Sequence, residues 1–202
     1  MGKITHLALG NITAFSHFEE EFSPGINTFI GVNGTGKTHI LKILYSACSI
    51  TSGEDLQKGF PSKIRSVFHP FNNDNNRLLK HPLTTNTFIG VTITRDNNKI
   101  LDFSTREALN LFSYELENEY GWQEEPLEST YIPVKEMLAH APGFLSTVSK
   151  RELAFEEVYT DIIKRAFLPK LKELPEDQAE LVASLQKAIG GKVTQKGEYF
   201  FI

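Results

Sequence analysis

The sequence of 202 residues has one cysteine and no long apolar run. A single thiol cannot form an intramolecular disulfide, and it cannot build a zinc site from cysteines. No stretch reaches the roughly 18 consecutive apolar residues that cross a bilayer. The start, Met1 to His6, lacks the apolar core of a signal peptide, and it places His6 where a myristoylation motif requires serine or threonine. These absences predict a cytoplasmic protein with no membrane segment.

A surplus of positive charge is also missing. The 21 lysine and arginine residues stand against 25 aspartate and glutamate residues, which leaves a formal net charge of −4. Such a balance does not support direct binding to nucleic acid, although contact through a larger complex stays open. The apolar fraction of 40% and the charged fraction of 23% are ordinary for one globular α/β domain. We therefore expect a single domain over residues 1–202.

The most informative segment that is present is Gly31–Thr38, which reads GVNGTGKT and matches the P-loop pattern G-x-x-x-x-G-K-[ST]. Glycines let successive backbone N–H groups turn inward toward a polyphosphate. Lys37 has the length to reach the β- and γ-phosphates, and the Thr38 hydroxyl can bind Mg²⁺. The positive dipole end of a following helix adds to the same anion site. The segment therefore predicts a site for ATP and Mg²⁺.

The residues on either side of this loop have the arrangement that the motif requires. Residues 26–30 are a short β-leaning run that follows a turn signal at 23–25. After the loop, apolar residues recur at the spacing of a buried helix, namely Ile40, Leu41, Ile43, Leu44, Ala47 and Cys48. We predict a nucleotide site formed by Asn33, Gly34, Thr35, Gly36, Lys37, Thr38 and His39, with Thr38 as the Mg²⁺ ligand. Thr35 and His39 are expected to contribute mainly their backbone N–H groups.

The rest of the sequence predicts further helices and antiparallel hairpins. In chain order these are strands over 3–15 and 18–22, a hairpin over 89–104, a helix over 106–120, a strand-like run over 131–134, helices over 155–166 and 175–189, and a final hairpin over 192–202. Glycines, prolines and asparagines interrupt residues 51–86. That punctuation predicts an irregular surface insertion, with a short helix near 63–68.

Carboxylates for hydrolysis are not evident in the sequence. P-loop hydrolases hold Mg²⁺ with an aspartate that follows four apolar residues, and a neighbouring glutamate orients the attacking water. The nearest run, KILDF at 99–103, has two apolar residues before Asp102 and no glutamate after it. A hairpin strand explains that run better than a metal-binding strand does. No Leu-Ser-Gly-Gly-type signature occurs either, so no catalytic residue is assigned.

The sequence resembles the N-terminal lobe of ABC-type ATPases of the RecF/SMC class over most of its length, and most specifically in residues 3–48. More narrowly, it resembles bacterial AAA family ATPases akin to the OLD family. The resemblance rests on Asn-Gly before [ST]-Gly-Lys-[ST], on the phrase NITAF at 11–15, and on the run YIPVKE at 131–136. It implies an α/β P-loop NTPase fold like the ABC ATPase head, with an antiparallel β portion near the P-loop strand and an α-helical segment.

The resemblance also implies a division of the ATP site between two lobes. In these ATPases two heads pair head-to-tail, and ATP on the P-loop of one is capped by the signature of the other. The signature, the Walker B Asp-Glu and the switch histidine lie in a C-terminal lobe, whereas this sequence ends at Ile202, near where that lobe should begin. We therefore expect an ATP-binding lobe that needs a complementary lobe for hydrolysis. Its expected partners are a second copy in a homodimer or a separate protein.

Three further residues are weaker candidates for the site. Phe15 could stack on the adenine, although a core position explains it at least as well. Lys135 and Glu136 follow a strand-like run, where α/β sheets present ligand-binding groups, or they could lie on the surface at the start of a helix. Two other functions remain open. One is a complete small-molecule phosphotransferase, which sparse arginine and the lack of a basic lid cluster disfavour; the other is a non-catalytic regulatory or scaffold module derived from an ATPase.

Overall fold

The computed structural model describes residues 2–80, 89–105, 114–117, 119–135, 137–151, 153–169 and 174–201. The chain forms two compact units, Met1–Tyr131 and Ile132–Ile202. The fold is mixed α/β with an antiparallel sheet, as the sequence predicts. Among the helices that the structure describes, none is both long enough and apolar enough to cross a membrane. The expectation of a single domain over the whole chain stays a prediction.

The first unit is built on an antiparallel sheet. Its strands are β1 (Ile4–Ile12), β2 (Phe15–Glu21), β3 (Ile89–Arg95), β4 (Ile100–Thr105) and β5 (Tyr114–Glu117), in the order β2-β1-β3-β4-β5. The predicted hairpin is confirmed by β3 and β4, in which Val91 pairs with Phe103. Because side chains alternate along a strand, one face of the sheet carries the buried residues Leu7, Leu9, Val91, Ile93, Leu101 and Phe103.

Two helices share a core with this apolar face. They are α1 (Lys37–Ser49) and α2 (Gly59–Phe68). The predicted stripe of α1 is confirmed for Ile40 and Ile43, which are buried in the core, but not for Leu41, which is exposed. From α2, the Phe60 ring meets the Phe103 ring edge-on at a centroid distance of 5.3 Å. The core therefore lies between one face of the sheet and the two helices, and it fixes the start of α1 beside the β1–β2 turn.

The expectation that residues 51–86 form an irregular surface insertion is wrong for α2. Phe60, Ile64 and Val67 are fully buried. Their spacing of four and three residues gives one apolar helix face, whereas the prolines and asparagines that predicted a loop lie mainly at the helix ends and in the short 3-10 turns around it. The short helix predicted near 63–68 is confirmed and begins at Gly59. Residues 81–86 lie outside the described part of the chain.

The helix predicted over 106–120 is wrong for residues 114–117, and only its last two residues are helical in the described part of the chain. Residues 114–117 are strand β5, which pairs with the edge of β4, and a short helix α3 (Glu119–Gln123) follows. Residues 106–113 and 118 lie outside the described ranges. Pairing with an existing strand satisfies the backbone groups of β5, and this tertiary interaction outweighs the local helical pattern. Trp122, which lies in α3, is fully buried and belongs to the core.

The second unit contains α4 (Phe144–Arg151), α5 (Glu157–Ala166), α6 (Glu176–Ile189), β6 (Thr194–Lys196) and β7 (Tyr199–Phe201). The predicted helices over 155–166 and 175–189 and the final hairpin are confirmed. Pro175 precedes α6, and Gly190 ends it with a φ of 67°, a conformation that glycine adopts without strain. The strand predicted at 131–134 is wrong, because these residues belong to no strand.

Candidate nucleotide site

The P-loop meets α1 at a sharp glycine bend. Gly34 and Gly36 have φ values of 83° and 95°, which other residues adopt only with strain. Gly36 is the last residue before the helix, and its carbonyl oxygen accepts a hydrogen bond from the Ile40 N–H at 3.1 Å. No side chain caps the start of α1, and its first turn contains no acidic residue. The positive end of the helix dipole is therefore not neutralised locally and can attract an anion.

Gly36 is also required by close packing. A Cβ at this position would lie 2.7 Å from the Phe15 ring and 2.9 Å from the Ala14 Cβ. The P-loop thus rests directly on the β1–β2 turn. The Phe15 ring lies 5.2 Å from the Phe18 ring, between centroids, and packs against the core. Its contacts are those of a residue that supports the loop, and its predicted stacking on adenine stays a prediction.

The Lys37 side chain folds back over the loop. Its Nζ donates hydrogen bonds to the carbonyl oxygens of Gly31 and Val32, both at 2.7 Å. The Thr35 hydroxyl donates to the same Val32 carbonyl at 3.0 Å. These bonds hold a cation within the loop. An anionic phosphate oxygen forms a stronger bond with an ammonium than a neutral carbonyl does, so a polyphosphate can draw Lys37 toward itself without remodelling the backbone.

The remaining predicted residues of the loop include Asn33, Thr38 and His39. Asn33 and Thr38 are exposed, so both side chains can reach a ligand. One threonine hydroxyl suits Mg²⁺, which keeps several waters and takes few protein ligands beside substrate phosphates. The His39 ring packs on the Phe68 ring at a centroid distance of 5.5 Å. This side chain therefore takes part in packing between α1 and α2, while its backbone lies in the first turn of α1.

Three sequence candidates belong to other segments of the chain or lie outside the described residues. Lys135 is exposed in the second unit, and Glu136 lies outside the described residues. The phosphate or metal-water role expected for this pair stays a prediction. Asp102 lies in β4, where its carboxylate accepts a hydrogen bond from the Thr92 hydroxyl at 3.0 Å. The run at 99–103 is therefore a hairpin strand, as the sequence analysis favoured.

The strand predicted at 26–30 is not formed. The structure assigns residues 26–32 to no strand, and Ile26, Ile30 and Val32 are 94%, 92% and 76% exposed. The apolar, β-branched pattern that predicted a strand is present, but a strand needs a neighbour. No described residue forms a backbone–backbone hydrogen bond with this segment. The P-loop is thus preceded by an apolar segment without a strand partner in the described ranges.

A cavity that the sequence analysis did not predict adjoins the loop. It has a volume of about 510 Å³, and its walls include Phe15, Phe18, Phe22 and Phe29, together with the exposed Glu20 and Glu21. The phenylalanines in β2 and in the segment after it are the sequence feature that relates to this cavity. They would fit an ordinary hydrophobic core equally well. The cavity extends from β2 to residues 27–30 and reaches Thr35 and Lys37.

Comparisons with known proteins do not assign the chain. No known protein-family model matches the sequence, and no solved structure gives a significant match. The case for a function therefore depends on the P-loop sequence, the bend at Gly36 and the position of Lys37.

Proposed function

We propose that this chain binds ATP with Mg²⁺ as the N-terminal lobe of an ATPase of the RecF/SMC/OLD-like class. One observation carries the proposal: a complete P-loop sequence lies on a glycine-bent loop directly before α1, with the Lys37 ammonium held at the loop carbonyls. The glycine bend before α1 and the Lys37 ammonium at the loop support the proposal. The loop N–H groups, the helix dipole and Lys37 all favour negative charge at one place.

The same residues explain binding better than hydrolysis. Lys37 would neutralise charge on the β- and γ-phosphates, and the Thr38 hydroxyl would hold Mg²⁺, which supplies further neutralisation when it is bound. Water attack on the γ-phosphate also needs a carboxylate on the metal and a group that orients the water. The sequence has no apolar run followed by Asp-Glu. Asp102 lies in the hairpin strand β4, where its carboxylate accepts a hydrogen bond from the Thr92 hydroxyl. Hydrolysis would therefore depend on a complementary lobe, from a second copy or a separate protein.

Titration calorimetry with Mg²⁺ and ATP tests the proposal. Lys37→Ala removes the cation and should weaken ATP binding by about ten- to a hundredfold, the range for a lost hydrogen bond to a charged group. Lys187→Ala is the matched control, because Lys187 is an exposed lysine near the end of α6 in the second unit. Circular dichroism checks that both variants fold. Equal affinity of Lys37→Ala and the parent chain would overturn the assignment.

Steady-state turnover separates this function from the two alternatives. The proposed lobe binds ATP and turns it over slowly or not at all when alone. A complete phosphotransferase would consume ATP rapidly once a small acceptor is added, and the rate would depend on that acceptor. A purely structural module would form complexes with no turnover under any condition, so restored hydrolysis in the presence of a partner lobe argues against it.

A further inference from the structure

The cavity beside the P-loop is distinct from the phosphate site. It shares Thr35 and Lys37 with the loop, but Asn33, Gly34 and Thr38 do not line it. Ile40, which lies in the first turn of α1, does line it. The cavity therefore extends beyond the residues that are predicted to bind the phosphates.

The walls of the cavity are two stretches of chain that run close together without pairing. The Phe29 ring lies 6.4 Å from the Phe18 ring and 6.1 Å from the Phe22 ring, between centroids. These contacts hold residues 26–32 near β2. Yet β2 is an edge strand of the sheet, and residues 26–32 form no backbone–backbone hydrogen bond with the described residues. Both walls thus offer backbone donors and acceptors that a further strand can satisfy.

Residues 26–32 also carry apolar side chains that are exposed to solvent. Ile26, Ile30 and Val32 are each more than 70% exposed, and Leu41 on the adjoining helix is 47% exposed. Branched apolar residues in an unpaired segment are well suited to strand pairing. Main-chain pairing with side chains seated in pockets is a recurring way in which proteins recognise extended peptides. The geometry therefore fits an extended segment better than a helix.

The charge of the walls indicates the composition of the occupant. Glu20 and Glu21 line the cavity, both are exposed, and neither forms an ion pair with a described residue. Lys37, the one cation in the lining, is already bonded to the Gly31 and Val32 carbonyls. Two adjacent carboxylates beside an apolar surface complement a lysine or arginine that neighbours apolar residues.

We propose that the β2 edge, this cavity and residues 26–32 form a docking groove for an extended apolar segment of a partner protein, with a lysine or arginine seated against Glu20 and Glu21. The inference rests on the proposed function in one respect: it takes this partner to be the protein that completes the ATP site. Gly31 and Val32, whose carbonyl oxygens hold Lys37, belong to this groove, so partner binding and ATP binding should each change the affinity for the other.

Selection from a displayed library of random decapeptides, with the full chain as bait and no nucleotide present, tests the groove. The expected enriched sequences alternate apolar residues and carry lysine or arginine. Ile30→Asp should reduce their capture about tenfold, because it places a charge in the apolar strip. Ile132→Asp is the matched control, since Ile132 is an isoleucine of the second unit that is 80% exposed. Glu20→Lys combined with Glu21→Lys should shift the selection toward acidic peptides.

Any other outcome of these experiments would contradict the proposed docking groove. Failure to enrich any sequence, enrichment that Ile30→Asp leaves unchanged, or selection of the same basic peptides by the double lysine variant would overturn the proposal. A dimer that forms in light scattering and is lost in Ile30→Asp would assign the surface to a second copy instead. Protection of residues 26–30, which precede the P-loop, from hydrogen exchange by ATP alone would assign the surface to the nucleotide. ATP calorimetry on Ile30→Asp keeps the two proposals separate, because Lys37 and the loop glycines are unchanged there.

Discussion

The Lys63 ammonium lies 2.6 Å from the Asp55 carboxylate, and the Lys63 side chain is fully buried. Lys63 also lies over the Tyr45 ring, with its Nζ 5.2 Å from the ring centroid. Lys58 approaches the same carboxylate at 2.8 Å. A buried ammonium is stable only when a carboxylate and polarisable groups surround it. This ion pair therefore ties the 3-10 turn at Gly53–Gln57 to α2, within the segment that the sequence analysis expected to be a surface insertion.

The Asp55–Lys63 pair predicts a loss of stability in acid. Burial acts to raise the pKa of Asp55, but hydrogen bonds and charge from Lys58 and Lys63 outweigh it, so the pKa lies below the usual value. A lowered pKa in the folded state stabilises the fold above the unfolded pKa of about 3.9, and the stabilisation is lost as pH falls through the folded value. Urea unfolding of the parent chain should show this decline below about pH 4.

Asp55→Asn should lose that part of the pH dependence. At pH 7 it should also be less stable by about 3–5 kcal/mol, because the Lys63 ammonium stays buried without its carboxylate. Glu180→Gln, on the exposed surface of α6, is the control and should change neither quantity. An Asp55→Asn variant as stable as the parent at pH 7, with the same acid decline, would refute the role of this pair.

Gly36→Ala should destabilise the P-loop more than Gly34→Ala does. Both positions have positive φ, which costs a non-glycine residue about 1–3 kcal/mol. A Cβ at Gly36 would also collide with Phe15 and Ala14, whereas a Cβ at Gly34 meets open space. Steric overlap in a packed region adds about 1–3 kcal/mol. Chemical denaturation of the two variants measures the difference.

The Phe15 contact can be tested by rescue. Phe15→Leu in the Gly36→Ala background should recover part of the lost stability, because a smaller side chain leaves room for the new methyl group. The same change in the parent chain should be destabilising, since it removes packing beneath the loop. Equal stability of Gly34→Ala and Gly36→Ala would show that backbone conformation alone sets the requirement for glycine.

Local sequence patterns correctly predicted the helices and strands that have a clear apolar periodicity or clear residues at their ends. The apolar stripe of α1, the alternation of β3 and the helix between Pro175 and Gly190 depend on neighbours along the chain. The failures involve partners that are distant in sequence. The Glu119 carboxylate, for example, accepts a hydrogen bond from the Phe60 N–H at 2.7 Å, at the start of α2. Such a contact between residues 59 positions apart leaves no periodic trace in the sequence.

The candidate nucleotide site shows the same difference between local and distant interactions. The P-loop pattern predicted a glycine bend before a helix, because that bend depends on consecutive residues, whereas the contact of Lys37 with phosphates stays a prediction. The strand expected at 26–30 was wrong, since strand formation depends on a neighbour as well as on β-branched residues. The cavity lined by Phe18 and Phe29 was missed for a related reason. Aromatic residues look alike in a sequence whether they fill a core or leave a gap.

Cys48 should be inert in the folded protein. Burial raises the pKa of its thiol to about 12 and outweighs the charge of Arg95, which acts to lower it. The thiolate is the reactive form, so almost none is present at pH 8. The aromatic disulfide reagent DTNB should label the native chain very slowly and label it fully in urea. Rapid stoichiometric labelling without denaturant would contradict the core position that both sequence and structure assign to Cys48.

Trp122→Phe should lower stability without weakening ATP binding. The indole N–H donates to the Ala47 carbonyl oxygen at 2.7 Å, near the end of α1, and the Arg95 guanidinium lies 5.2 Å from the Trp122 ring centroid. Phenylalanine leaves that carbonyl unsatisfied and opens a cavity, so we expect a loss of about 2–4 kcal/mol in the free energy of unfolding, measured by circular dichroism in urea.

The P-loop lies at the opposite end of α1 from Trp122, roughly 15 Å away at 1.5 Å per residue. The folded Trp122→Phe variant keeps the loop glycines and Lys37, so its affinity for ATP in calorimetry should match that of the parent chain. A parallel fall in stability and affinity would instead show that the two ends of α1 are coupled.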